Sequence, residues 1–135
     1  EIRQSEPYVV GQTTYSTYSP RAGNCRVSWL SGAATWNYYS TTQYILGIRP
    51  QYEGMLIDPC IPHEWDGFKV SRRWRGINFD IEVKNPSHVC KGIEYIEVDG
   101  NRIDAAVIPA DMIKEGTKVV AYMGRDAKEV PVERL

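Results

Sequence analysis

The sequence has little of what marks several common protein classes. Cysteine is scarce: Cys25, Cys60 and Cys90 lie far apart with no CxxC pair, and their odd number argues against a closed disulfide framework. Reduced thiols in a cytoplasmic protein fit this usage. No charge of one sign dominates, since sixteen Lys and Arg face seventeen Asp and Glu for a net charge of -1. Nothing therefore favours the polyanionic backbone of a nucleic acid. Long apolar runs are missing as well. The longest, 105–110 and 119–123, are strand-length and fall far short of the ~20 residues of a membrane-spanning helix, so no membrane partner is expected. There is no initiator Met and no charged-then-apolar leader after Glu1, and Tyr8-Val9-Val10 reads as the middle of a folded element. The expectation is a chain that continues a longer polypeptide.

What is present is enough for one domain with a real core. A chain of 135 residues buries roughly two thirds of its unfolded surface on folding. Its aromatics are nine Tyr and four Trp against two Phe, a bias that suits sugar faces and half-wet packing surfaces equally.

Residues 1–27 are rich in turn formers, such as Ser19-Pro20-Arg21-Ala22-Gly23-Asn24, and read as loops flanking short elements. From 32 to 46 the pattern changes. Ala33, Trp36, Tyr39 or Tyr38, Thr42 and Ile45 or Leu46 recur at helical spacing, with Ser31 as candidate N-cap, Gly47 where a left-handed C-terminal cap belongs, and Pro50 barring continuation. This helix carries no charged side chain and is apolar nearly all round, so it needs partners on several sides.

Beyond Pro50 the spacing predicts strands at 55–57, 68–75, 77–83, 93–98, 103–108 and 118–123. Turn signals at Asp66-Gly67, Asn85-Pro86, Asp99-Gly100 and Glu115-Gly116 separate them. Phe79, Ile81 and Val83 alternate with Asn78, Asp80 and Glu82, one face inward and one outward. Asp99-Gly100 is a two-residue hairpin signal. Short antiparallel strands so spaced predict a β-sandwich.

Several residues invite a chemical reading, each against a plainer one. A helix beginning at Ser31-Gly32 offers free N–H groups and the positive end of the dipole to an anion; alternatively Ser31 caps and Gly32 permits close packing. Gln12 has an amide able to bind a sugar hydroxyl at both ends, or is an ordinary loop residue. Glu64 and Asp66 resemble a glycosidase carboxylate pair, but Asp66-Gly67 is a turn. His63 and His88 lack partners at zinc-ligand spacing, so no metal is expected. Cys25 reads as a packing residue rather than a nucleophile, since no His lies in its segment, and Arg72-Arg73-Trp74-Arg75 either binds phosphate or a partner surface or is a solvated strand face with one buried Trp.

Two adjoining tracts resemble a known family. Ser28-Trp29-Leu30-Ser31-Gly32-Ala33-Ala34-Thr35-Trp36-Asn37, followed by Gln43-Tyr44-Ile45-Leu46-Gly47-Ile48-Arg49-Pro50, is similar to the end of the catalytic barrel in glycoside hydrolase family 94, which holds cellobiose, cellodextrin and chitobiose phosphorylases. Ile57-Asp58-Pro59-Cys60-Ile61-Pro62, with Trp65-Asp66-Gly67-Phe68 and Arg72-Arg73-Trp74-Arg75-Gly76, resembles the opening of that family's C-terminal sandwich. The resemblance implies an α+β fragment, in which 1–50 is the end of an (α/α)6 barrel with its last helix and 51–135 an antiparallel C-terminal β-sandwich. It implies inverting phosphorolysis of a β-glucoside such as cellobiose, with inorganic phosphate as co-substrate and no cofactor, giving α-D-glucose 1-phosphate and a shortened sugar. Ser31-Gly32 stands where the family has a phosphate-binding Thr-Gly pair, and Gln12 where it has a sugar-binding glutamine. The family's catalytic Asp lies upstream, so this chain holds no catalytic acid and its first partner is the upstream part of the same enzyme; a homodimer is also implied. Two other readings compete: a non-catalytic carbohydrate-binding sandwich module, and a structural tail packed on a catalytic barrel.

Overall fold

In the computed structural model, residues 3–5, 9–26 and 32–128 are described. They fall into two compact units, Glu1–Ser40 and Thr41–Leu135. Among the described residues the chain is mostly sheet with one α-helix, and no helix is long and apolar enough to cross a membrane.

The first unit holds a small antiparallel ribbon, β1 (Thr13–Thr14) against β2 (Cys25–Arg26), with Thr13 opposite Arg26 and Thr14 opposite Cys25. Gly11 leaves room beside it for the buried Cys25 sulfur, which a Cβ there would approach to 1.8 Å and displace. The loop between the strands folds back on itself, Tyr15 N–H donating to Asn24 O at 3.0 Å and Gly23 N–H to Tyr15 O at 2.9 Å. Helix α1 (Ala33–Ser40) follows with no buried residue. Its uncharged surface exposes Trp36 and Tyr38, as expected of a helix whose sequence asks for partners on several sides.

The second unit opens on a π-helical turn, Thr41–Ile45, closed by Leu46 N–H to Thr41 O at 2.8 Å. The spacing predicts one continuous helix over 32–46; the last turn is instead wider. Its end is fixed by non-local bonds, since Cys60 N–H donates to Ile45 O and Asp58 N–H to Gly47 O. Gly47 takes the expected left-handed conformation at φ +66°.

Strands β3 (Ile48–Pro50), β4 (Gly54–Ile57), β5 (Gly67–Trp74), β6 (Ile77–Lys84), β7 (Ile93–Val98), β8 (Asn101–Ile103), β9 (Val107–Pro109) and β10 (Lys118–Met123) complete the unit. They form a three-stranded sheet, β3-β4-β9, and a five-stranded one, β5-β6-β10-β7-β8. Ile48, Met55, Ile57 and Ile108 of the first join Phe79, Ile81, Val83, Ile96 and Val119 of the second in one core. Two sheets sharing one core are the arrangement of a sandwich. The expected alternation of β6 holds, Phe79, Ile81 and Val83 buried between exposed Asn78 and Asp80 and half-buried Glu82.

Two expectations are corrected. The sandwich is not wholly antiparallel: β10 inserts between β6 and β7, antiparallel to β7 but parallel to β6. Three strands intervene between β6 and β10 in the chain, and a connection of that length permits parallel pairing. The expected strand 103–108 is two strands in different sheets, β8 ending at Ile103 and β9 starting at Val107. Between them Arg102 holds Asp104 at 2.9 Å, and Ala106 O accepts from Ile57 N–H at 2.9 Å.

Hairpin turns follow local chemistry. Asp99 and Gly100, both at positive φ (49° and 82°), join Val98 to Asn101, the two-residue turn that matches strand twist. Arg75-Gly76 makes the same turn, at φ 51° and 83°, between β5 and β6.

Candidate functional site

Of the residues singled out by sequence, Gln12 and Gly32 lie in the first unit; Ser31 lies outside the described residues. Gln12 is exposed between Gly11, pinned against Cys25, and β1. Its backbone N–H donates to Arg26 O at 3.2 Å, which extends the ribbon by one rung. Arg26 Nη1 donates to the Tyr15 hydroxyl at 2.9 Å. That hydrogen bond, reinforced by the charge interaction with Tyr15, raises the Arg26 pKa above its ordinary value.

At the head of α1, Gly32 O accepts the first helical bond described, from Trp36 N–H at 3.0 Å. Gly32 is therefore in the N-cap position, one residue after the Ser31 that spacing predicts. A Cβ on Gly32 would meet only the Trp36 ring, at 3.7 Å and 3.9 Å, both ordinary contacts. Packing among the described residues does not demand glycine here.

The other candidates are dispersed over the second unit's surface. His63 Nε2 lies 3.4 Å from Glu64 and His88 Nε2 3.8 Å from Asp66, with all four side chains more than half exposed. Exposed acids of this kind lack the cleft that tunes a catalytic carboxylate. Among the described residues no group of three or more His, Cys, Asp or Glu is placed to hold a metal ion. Arg75 stacks over Trp74, 4.3 Å to the ring centroid, and donates to Tyr52 O at 2.7 Å, so it ties two hairpin tips together.

One cluster escapes the sequence reading. Asp58 is buried, 6% exposed, with Arg49 Nη2 at 2.7 Å and Lys91 Nζ at 3.4 Å from the same carboxylate oxygen. Arg49 in turn lies over the Tyr44 ring at 5.2 Å. The available signal was an acid directly after the apolar run Met55-Leu56-Ile57, since an acid entering a core must be paired. Its position between strand and turn assigns it to holding the fold.

Comparison with known proteins divides the chain in two. Residues 1–47 match the glycosyl hydrolase 94 superfamily, catalytic domain, and residues 48–104 match the glycosyl hydrolase family 65, C-terminal domain. The chain is 42% identical over 105 residues to N,N'-diacetylchitobiose phosphorylase of Vibrio furnissii, covering 78% of this chain and 13% of that protein. It is 39% identical over 124 residues to the Vibrio proteolyticus protein of the same name, covering 92% and 15%. With solabiose phosphorylase of Paenibacillus borealis the identity is 33% over 104 residues, covering 77% and 14%. The chain thus spans only about one seventh of the length of these relatives.

Proposed function

We propose that this chain, which belongs to glycoside hydrolase family 94, acts as part of a glycoside phosphorylase that cleaves a β-linked disaccharide with inorganic phosphate. The products are a sugar 1-phosphate and the released sugar. In the inverting course that the family resemblance implies, phosphate attacks the anomeric carbon directly and takes the place of the activated water of an inverting hydrolase. One carboxylic acid, protonating the leaving oxygen, then suffices. None of Glu64, Asp66, His63 or His88 matches that acid, which is assigned to the upstream part of the enzyme.

The residues carried here supply one edge of the site. Ser31 and Gly32 bind the phosphate, the Ser31 hydroxyl and the free N–H groups at the head of α1 donating to its oxygens. Gln12 binds the sugar, its side-chain amide donating to one hydroxyl and accepting from another. The observation that carries this reading is Gly32: it opens the helix, yet the described residues leave room there for a side chain. A glycine that packing does not require suits close approach of a ligand to the backbone.

The exposed, uncharged α1 further supports an upstream set of helices packed around it as an (α/α)6 barrel, with the appended sandwich beginning at β3, three residues before the expected boundary at 51. As to substrate, two relatives at 42% and 39% identity are both N,N'-diacetylchitobiose phosphorylases by name. This favours N,N'-diacetylchitobiose over cellobiose.

The test is an assay of sugar 1-phosphate formation from each disaccharide with inorganic phosphate. The full-length protein carrying these residues turns over N,N'-diacetylchitobiose in preference to cellobiose, and the 135-residue chain alone turns over neither. Product from the isolated chain would contradict the upstream acid. No phosphate-dependent cleavage of any β-linked disaccharide by the full-length protein would refute the phosphorylase reading.

A further inference from the structure

The ribbon that presents Gln12 has only two paired positions, Thr13–Arg26 and Thr14–Cys25, and a short isolated two-stranded ribbon is marginal in water. Something must hold its open end, where Gln12 stands exposed. One side is fixed by packing, Gly11 against Cys25, whose own N–H donates to Arg3 O at 2.9 Å. The other side is fixed by Arg26. Its carbonyl accepts the Gln12 N–H, its backbone faces Thr13, and its guanidinium crosses to the Tyr15 hydroxyl at 2.9 Å. Tyr15 is in turn held at both backbone groups, its N–H on Asn24 O and its carbonyl on Gly23 N–H. Arg26 therefore holds both ends of β1, at Gln12 and at Tyr15.

We propose that Arg26, acting through the Tyr15 hydroxyl, is a positioning residue that fixes the backbone beneath Gln12 and so aims its amide at the bound sugar. The inference rests on the reading of Gln12 as a sugar ligand. The guanidinium touches Tyr15 and not the reacting atoms, so its loss weakens sugar binding without altering the phosphate half of the site. A misdirected amide acts on ground and transition states alike, which moves KM more than kcat.

The test uses the full-length phosphorylase. Arg26→Met raises the disaccharide KM about tenfold with kcat changed less than about threefold and the phosphate KM unchanged. Arg26→Lys, which keeps a donor on a flexible stem, recovers most of that loss. Tyr15→Phe deletes only the accepting hydroxyl and moves the disaccharide KM in the same direction, which keeps the question open to measurement should Arg26→Met fail to fold. The deciding measurement is a double-mutant cycle. In a Gln12→Ala background, Arg26→Met and Tyr15→Phe add nothing further to the disaccharide KM, because the group they aim is gone. An additive effect there, or a matching rise in the phosphate KM, overturns the positioning role while leaving Gln12 as ligand. A Gln12→Ala variant with an unchanged disaccharide KM removes the ligand reading itself, and the positioning role with it.

Discussion

Arg49 Nη2 and Asp58 Oδ2 meet at 2.7 Å where the π-helical turn gives way to the sheet, with the carboxylate 6% exposed and the guanidinium side chain 21% exposed. They meet diagonally across the β3–β4 pair: Arg49 on β3 faces Leu56, and Asp58 lies just past the end of β4. Lys91 approaches the same oxygen at 3.4 Å from a segment joined to Cys60 by a single β-bridge. A buried carboxylate with two cations is costly to break from one side, because the remaining charges lose their partner.

Asp58→Asn should therefore destabilise the protein by about 2–3 kcal/mol, below the full cost of breaking a deeply buried pair because both cations are partly solvated. The denaturation midpoint in urea reports it, with an unchanged slope. A midpoint within error of the parent protein would show that the pair is neutral here.

Two glycines separate folding from ligand approach. Gly47 has φ +66°, and a Cβ there would lie 2.1 Å from the Asp58 backbone. Gly47→Ala should cost about 2 kcal/mol or more in stability. Gly32→Ala meets only ordinary contacts with Trp36, so its stability cost should be limited to the poorer N-cap, about 1 kcal/mol or less, while its methyl group raises the phosphate KM about tenfold or more. Ser31→Ala should move the same constant by less. A Gly32→Ala enzyme with the parent's phosphate KM would count against the helix head as the phosphate edge.

Glu115 accepts from Asn78 Nδ2 at 3.0 Å and from Asn78 N–H at 2.9 Å, and these bonds, the side-chain one first, hold its pKa below the ordinary carboxylate value. A depressed folded-state pKa contributes stability that is present above the unfolded value and lost as pH falls through the folded one. The stability difference between the parent protein and Glu115→Gln should be largest near neutrality and shrink on acidification through that window. Denaturant titrations at a series of pH values check it; a difference that grows on acidification would reverse the sign.

Much of the second unit is legible in the sequence. The alternation over 77–83 and the Asp99-Gly100 turn are local signals, and each reports a property of a few successive residues. The break at Gly76 between the expected strands 68–75 and 77–83 is equally local, but Arg75 belongs to the turn and not to the strand, because Arg is an uncommon first residue of such a turn. The candidate site is open to two readings in local chemistry, the helix head at Ser31-Gly32 and the Gln12 amide each having a plainer role, and it is the resemblance that gives them ligands. The Arg26–Tyr15 bond spans eleven residues and joins two side chains of unremarkable type, so nothing in the linear order announces it.

Local order along the chain specifies the uncharged helix that asks for partners, five of the six predicted strand regions, the left-handed Gly47 and the two tracts that place the chain in its family. Only the tertiary structure decided that β10 lies between β6 and β7, that 103–108 serves two sheets, and that Asp58 is held by Arg49 and Lys91. The reason is physical. A period of two specifies which face of a strand is buried but not which strand lies beside it. An acid's need for a partner does not name one until distant segments have met.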